Sequence, residues 1–219
     1  EMCIRDRDYM KKIKSEEALF QEIDSEMSWR RIEIHHLKSL LKIKKNSKEK
    51  DVLAKSVILI SYSHWEGFVK SISMYYLSYI AFLALPKDKM STNLIASCLI
   101  RIGENQNMAT KIKELHKALT DNTYKLAFNI DKLVDAESNL NSVVLDKILV
   151  NIGASTSTFE TKSIFIDSIL LKNRNDFAHG DRGRADFDTA IDIADTVLTL
   201  MELYKTEIEN MIALKSYRI

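Results

Sequence analysis

The chain has 219 residues, of which 46% are hydrophobic, so it is long enough for one domain with a substantial core and short for two. Its formal net charge of +1 excludes a general electrostatic attraction to nucleic acid, so any RNA contact must come from a local patch or a shaped site. Five glycines and one proline, beside plentiful Leu, Ile, Lys, Glu and Met, predict a nearly all-helical protein.

The first seven residues, EMCIRDR, resemble the translation of a sequencing adapter, since a common adapter reads Met-Cys-Ile-Arg-Asp in one frame. We therefore exclude residues 1–7 from the fold and expect a single domain over residues 8–219. The native start is expected at Met10 or upstream of the residues given. The two cysteines, Cys3 and Cys98, form neither a metal-ligand spacing nor a disulfide framework, which fits a reducing cytoplasm.

Two long helices are predicted in the first part of the chain. Residues 9–45 contain no proline or glycine, and their apolar residues recur at helical spacings: Leu19, Ile23, Met27, Ile34, Leu37 and Leu41. A second helix is predicted over residues 48–85, with Ser47 as its N-cap and Pro86 ending it. Apolar residues on two of its faces indicate a central, heavily buried helix.

The longest apolar run, residues 71–85, belongs to this second helix. It is shorter than the ~18 residues of a spanning helix and contains serines and tyrosines, so we expect a buried helix and no membrane partner. His64 shares an apolar face of the same helix with Ile60 and Phe68, and this placement predicts a core histidine.

The remaining chain is predicted to complete an up-and-down four-helix bundle. Residues 87–142 read as shorter helices and form an insertion between the second and third main helices. A short helix over residues 143–150 ends at Gly153, and the STST stretch then caps a helix with an apolar face of Phe159, Ile164, Phe165, Ile169 and Leu170. That helix leads into RNDFAHGD, residues 174–181, and a final helix covers about residues 186–214.

Three arginine–histidine pairs share a spacing of five residues: Arg30 and His35, Arg31 and His36, and Arg174 and His179. On a continuous helix, residues five apart point about 140° away from each other, so the two members do not meet. The first two pairs lie inside the predicted first helix, and we expect them to diverge. Spacing alone therefore does not identify a site.

The third pair differs because residues that can leave helical geometry follow it: Gly180, Asp181 and Gly183. If the helix ends there, His179 can turn back toward the side of Arg174, while Phe177 anchors the turn in the core. A structural alternative stays open at this point, namely a cationic helix end favoured by the helix dipole, with Gly180 as its cap.

The stretch RNDFAHG resembles the R-polar-x-x-x-H signature of the HEPN superfamily of helical domains. SYSHWEGFVK, residues 61–70, resembles the W-E-G-F stretch in a bacterial branch of HEPN-like nucleases. AESNLNSVVLDKILVNIG, residues 136–153, resembles the segment that precedes the motif in that branch. Together these similarities cover about residues 51–208 and imply an all-α, HEPN-type four-helix bundle.

The resemblance also implies a function. Many HEPN domains are metal-independent endoribonucleases of toxin–antitoxin or phage-defence systems, and they dimerise with their two motif turns facing each other. We therefore expect a cytoplasmic homodimer that cleaves RNA without cofactor or metal, with a possible antitoxin or defence-system protein as partner. Other members bind RNA, a nucleotide or a protein without cutting, and this remains the main alternative, ahead of a generic helical scaffold.

The motif assigns roles to individual residues by position. Arg174 and His179 take the catalytic places and Asn175 takes the polar place, because cleavage by the 2′-hydroxyl needs a proton carrier and a cation for the phosphate. Glu66 and Asp181 are expected to support them. For Glu66 two readings remain open: a buried carboxylate paired with an arginine or a helix end, or a partner that orients Arg174.

Overall fold

The computed structural model describes residues 13–100, 102, 107–121, 123–137, 139–180 and 183–219. The protein is all-α, as predicted, and no β-strand is present among these residues. Its helices are α1 (Glu16–Ile43), α2 (Ser47–Leu83), α3 (Thr92–Leu99), α4 (Met108–Thr120), α5 (Ile130–Leu133), α6 (Ser142–Ile152), α7 (Ser157–Glu160), a π-helix (Phe165–Leu171), α8 (Lys172–Ala178) and α9 (Phe187–Ala213). The adapter-like residues 1–7, Met10 and Asp181 lie outside the described residues.

The long helix α2 is the centre of the bundle, as its two apolar faces predict. It packs against α1 on one side and α9 on another, and α6, the π-helix and α8 also contact it. Trp65 of α2 is fully buried and lies edge-on to Tyr204 of α9, with ring centroids 6.1 Å apart. Phe159 completes this aromatic cluster, with its ring centroid 5.9 Å from that of Tyr204. No helix in the described part of the chain is long and apolar enough to cross a membrane.

The helix ends follow from local hydrogen bonding, with one correction to the sequence prediction. Ser15 caps α1 by accepting from the N–H of Ala18. Asn46, and not the predicted Ser47, is the N-cap of α2, because its side-chain oxygen accepts from the N–H of Lys48 at 2.9 Å. Gly153 ends α6 in the left-handed conformation, as predicted.

The predicted continuous helix before the motif is wrong in detail, because the structure divides it into α7, the π-helix and α8. A π-helix places extra residues in each turn and so rotates the side chains relative to an α-helix. Ile166 and Leu170 are consequently buried, whereas Ile164 is 73% exposed and Ile169 39% exposed. These two isoleucines do not belong to the core face that the sequence predicts.

The insertion is attached to the bundle by polar contacts. Ser97 of α3 donates to the carbonyl of Asn151 in α6 at 2.6 Å, and the Asn151 amide donates to the carbonyl of Leu133 at 2.9 Å. Lys87 donates to the carbonyls of Ala118 and Asp121 at the end of α4. Helices α3 and α5 of the insertion thereby pack beside α6.

Candidate active site at the end of α8

The helix that carries the motif ends at the predicted place. His179 follows the last helical residue, and its N–H donates to the carbonyl of Asn175 at 3.0 Å. Gly180 has a φ of +80°, in the left-handed region that favours glycine. A Cβ at this position would meet no atom within 4 Å, so the backbone angle is what favours glycine here.

The side chain of Arg174 is held by three uncharged groups. Its Nη1 donates to Asn139 Oδ1 and to Asn175 Oδ1, both at 2.8 Å. Its Cζ lies 5.0 Å from the centroid of the Tyr62 ring, within the range of a cation–π contact. Arg174 forms no ion pair with any residue that the structure describes. The guanidinium is therefore held in place without an ion pair to any carboxylate that the structure describes.

Tyr62 connects this arginine to the rest of the site. The tyrosine is buried in α2, and its hydroxyl accepts from the N–H of Leu140 at 2.7 Å. Burial raises the pKa of Tyr62 far above its usual value, and hydrogen bonding to the Glu66 carboxylate acts in the same direction. The hydroxyl thus stays protonated, beside the Glu66 carboxylate. Glu66 is linked to Arg174 through one intermediate side chain.

The site brings together the three stretches singled out in the sequence. Arg174 and Asn175 come from RNDFAHG, Tyr62 comes from SYSHWEGFVK, and Asn139 comes from AESNLNSVVLDKILVNIG. Asn139 lies 35 residues from Arg174 along the chain, and Leu140 lies 78 residues from Tyr62. The roles of Tyr62 and Asn139 do not follow from the sequence reasoning above, although both residues lie inside the quoted segments.

His179 stands apart from this cluster in the single chain. Its side chain is exposed, and among the described residues no hydrogen bond or ion pair to it is found. The side chains of Arg174 and Asn175 are in contact, whereas the described contacts join His179 to Asn175 through the backbone alone. The imidazole faces solvent at the helix end and is accessible to a second molecule.

The chain on both sides of the motif turn is fixed to α2. Phe177 is partly buried against the core, as predicted, and Lys55 Nζ lies 5.5 Å from its ring centroid. Beyond the turn, the N–H of Ala185 donates to Asp51 Oδ1 at 2.8 Å, and this hydrogen bond lowers the pKa of Asp51. Contacts with Lys55 and Asp51 of α2 therefore set the position of the turn.

The two other arginine–histidine pairs diverge, as predicted. Arg30 is buried and pairs with Glu26, whereas His35 is exposed on another side of α1. Arg31 pairs with Glu202 of α9, and His36 is exposed. These arginines are neutralised by carboxylates, in contrast to Arg174.

The W-E-G-F stretch also has a structural role at this α1–α2 contact. A Cβ at Gly67 would lie 3.0 Å from Arg30 Nη2, so the glycine leaves room for the buried guanidinium. His64 is buried, as predicted, with Trp29 edge-on to its ring at 5.1 Å. Its Nε2 lies 3.1 Å from Glu33 Oε2, outside hydrogen-bond geometry, and burial lowers the pKa of His64.

Comparison with known protein families gives a match over most of the chain. The family model described as RiboL-PSP-HEPN matches residues 25–210, a range that includes Tyr62, Asn139 and the whole motif turn. Neither a curated protein nor a solved structure gives a significant match to the chain.

Proposed function

Because the chain belongs to the RiboL-PSP-HEPN family, we propose that it is a HEPN-type endoribonuclease that cleaves RNA without a metal ion, at a site shared between two copies. The observation that carries this proposal is the state of Arg174. Two segments distant in sequence and the neighbouring Asn175 hold its guanidinium, and all three contacts are uncharged. An arginine that is fixed but not neutralised is suited to bind a phosphate.

The chemistry assigns a step to each motif residue. The 2′-hydroxyl attacks the adjacent phosphorus, which forms a 2′,3′-cyclic phosphate and releases the 5′-hydroxyl of the next nucleotide. Arg174 stabilises the negative charge that develops on the phosphate oxygens. His179 carries the proton, a role that contributes on the order of 10² to 10⁴ in rate. The amide nitrogen of Asn175 is left to donate to the phosphate or to a water, since its oxygen already accepts from Arg174.

A second copy of the chain completes this reaction. One histidine cannot remove the nucleophile's proton and protonate the leaving oxygen at the same moment, whereas two facing copies supply one for each step. An exposed apolar stripe on α1 supports self-association, since a monomer would leave it in water: Trp29, Ile32, Leu40 and Ile43. Trp29 contacts His64 of α2, and Tyr62, whose ring lies beneath Arg174, is close to His64 on the same helix.

The cellular role we propose is that of a toxin or phage-defence effector, with an antitoxin or another defence-system protein as partner. This part of the proposal rests on the family resemblance. It agrees with the site's chemistry, because a metal-independent ribonuclease is active wherever RNA is present and therefore needs a partner or a trigger to restrain it.

A second candidate, RNA or nucleotide binding without cleavage, is favoured by one observation. Arg174 is fully positioned, but His179 is exposed and no described residue orients its ring. Binding a phosphate needs only the arginine. This candidate predicts that the wild type binds RNA without cutting it, and that His179→Ala binds as tightly as the wild type.

The product ends test the proposed reaction. Wild-type protein incubated with RNA in EDTA should yield 2′,3′-cyclic phosphate and 5′-hydroxyl ends, and a single 2′-deoxy substitution at the cleaved nucleotide should block cleavage there. Arg31→Ala and His36→Ala, which alter a pair of the same spacing in α1, should leave the products unchanged. Cleavage of the 2′-deoxy substrate, or loss of cleavage when EDTA is present, would contradict the proposal.

A further inference from the structure

We propose that Asn139 and Tyr62 are positioning residues that hold Arg174 as a fixed and uncompensated cation for a phosphate of the RNA. We call the Tyr62 ring and the amides of Asn139 and Asn175 the Arg174 clamp. The inference rests on the proposed function for its substrate, the RNA phosphate that Arg174 binds. Its structural part, the immobilisation of Arg174, can be tested without any substrate.

The hydrogen bonds of the clamp leave one edge of the guanidinium available. A guanidinium has five N–H donors in one plane, and both hydrogen bonds of Arg174 start from Nη1. The Nε and Nη2 donors have no partner among the described residues, and they are the parallel pair that binds two phosphate oxygens at once. Tyr62 covers one face of the plane. The clamp therefore sets the plane of the guanidinium and the direction of its free edge.

Asn139 takes its position from the fold and not from Arg174. The next residue, Leu140, is fully buried, and its N–H donates to the Tyr62 hydroxyl. Asn141 caps α6 by accepting from the N–H of Val144 at 2.8 Å. Because the two following residues are anchored separately, the backbone that carries Asn139 is held independently of Arg174. Such preorganisation is what a charge-stabilising group needs.

The clamp side chains carry no charge, and this leaves the charge of Arg174 available to a phosphate. An aspartate at position 139 would accept the same hydrogen bond, but it would compete with the phosphate for the charge of Arg174. Elsewhere in the chain, Arg30 and Arg31 each pair with a glutamate and contribute to helix packing. Arg174 is held instead by two amide oxygens and an aromatic ring.

Three single variants test the clamp in the full-length chain. We would compare Asn139→Ala, Asn139→Asp and the control Asn107→Ala, which removes the N-cap of α4 in the insertion, by cleavage kinetics, thermal melting and binding of an uncleavable 2′-O-methyl RNA oligonucleotide. Asn139→Ala should lower kcat about 10- to 100-fold with little change in Tm. Asn139→Asp should keep or raise Tm and weaken oligonucleotide binding. It should also reduce the slope of log affinity against log salt concentration by about one. Asn107→Ala should lower Tm and leave kcat and binding near the wild-type values.

A measurement without RNA separates failure of the clamp from failure of the proposed function. The ¹⁵N NMR signal of the Arg174 Nε–H, assigned by its loss in Arg174→Lys, should be sharp in the wild type and broadened in Asn139→Ala. If this signal is unchanged in Asn139→Ala, the clamp is wrong whether or not the protein cuts RNA. If the signal broadens but the wild type neither binds nor cuts RNA, the proposed function fails and the immobilisation stands. Wild-type binding and cleavage by Asn139→Asp would overturn the role of neutrality.

Discussion

Replacing Tyr62 with phenylalanine tests how the three converging segments are joined. The change keeps the ring beneath Arg174 and creates no cavity, but it removes the acceptor of the Leu140 N–H, which is 2.7 Å away. Leu140 is fully buried, so its N–H would lose its partner without gaining water. An unpaired buried donor costs about 1–3 kcal/mol. Glu66 is only half-buried and regains water, so its lost contact adds little.

The free energy of unfolding, measured by urea denaturation, should therefore fall by about 1–3 kcal/mol in Tyr62→Phe. For a chain of this length that corresponds to a Tm lower by about 2–4 °C for each kcal/mol. Tyr204→Phe is the matched buried control, since Ser73 keeps its bond to the Val69 carbonyl and no buried donor is left unpaired. A cost for Tyr62→Phe below about 0.5 kcal/mol, or below that of Tyr204→Phe, would refute the reasoning.

Three further predictions concern stability. Because burial lowers the pKa of His64, the unfolded chain takes up a proton below about pH 6.5 that the folded chain does not take up. As the pH falls, the wild type should therefore lose stability relative to His64→Gln, by up to about 1.4 kcal/mol per pH unit. Urea denaturation of both proteins from pH 7.5 to 5.5 measures this difference. A difference between the two that is independent of pH would contradict this. Ile166→Ala should cost about 2–5 kcal/mol and Ile164→Ala less than about 0.5 kcal/mol in thermal unfolding, and equal costs would contradict the π-helix register. Gly67→Val should destabilise by about 1–3 kcal/mol because its Cβ meets the Arg30 guanidinium, and no loss of Tm would show that the contact is not tight.

The main helices could be predicted because their signals are local. The apolar spacing of α1, the two apolar faces of α2 and the glycine that ends α6 each lie within one segment of the chain, and the structure agrees with them. Two local features were not predictable. Asn46 and Ser47 are both good N-caps, so composition does not choose between them. A π-helix has no distinct residue pattern, so Ile164 was assigned to the wrong face.

The site could be predicted only in part, for a related reason. The end of α8 at Gly180 follows from the sequence, and this turn separates Arg174 from the arginines inside α1. Asn139 is a polar loop residue whose partner lies 35 residues away, and Tyr62 reads as one more aromatic residue of a buried helix. Such long-range contacts leave no local spacing in the sequence, and only the folded chain reveals them.

The most direct test of the central claim is the rate of RNA cleavage by His179→Ala in EDTA, compared with wild type and with the control His116→Ala, an exposed histidine of α4. If His179 carries the proton, its removal should lower the cleavage rate on the order of 10² to 10⁴ without lowering Tm, since its side chain is exposed. His116→Ala should cut as the wild type does. Undiminished cleavage by His179→Ala would contradict the assignment of this turn as a ribonuclease site.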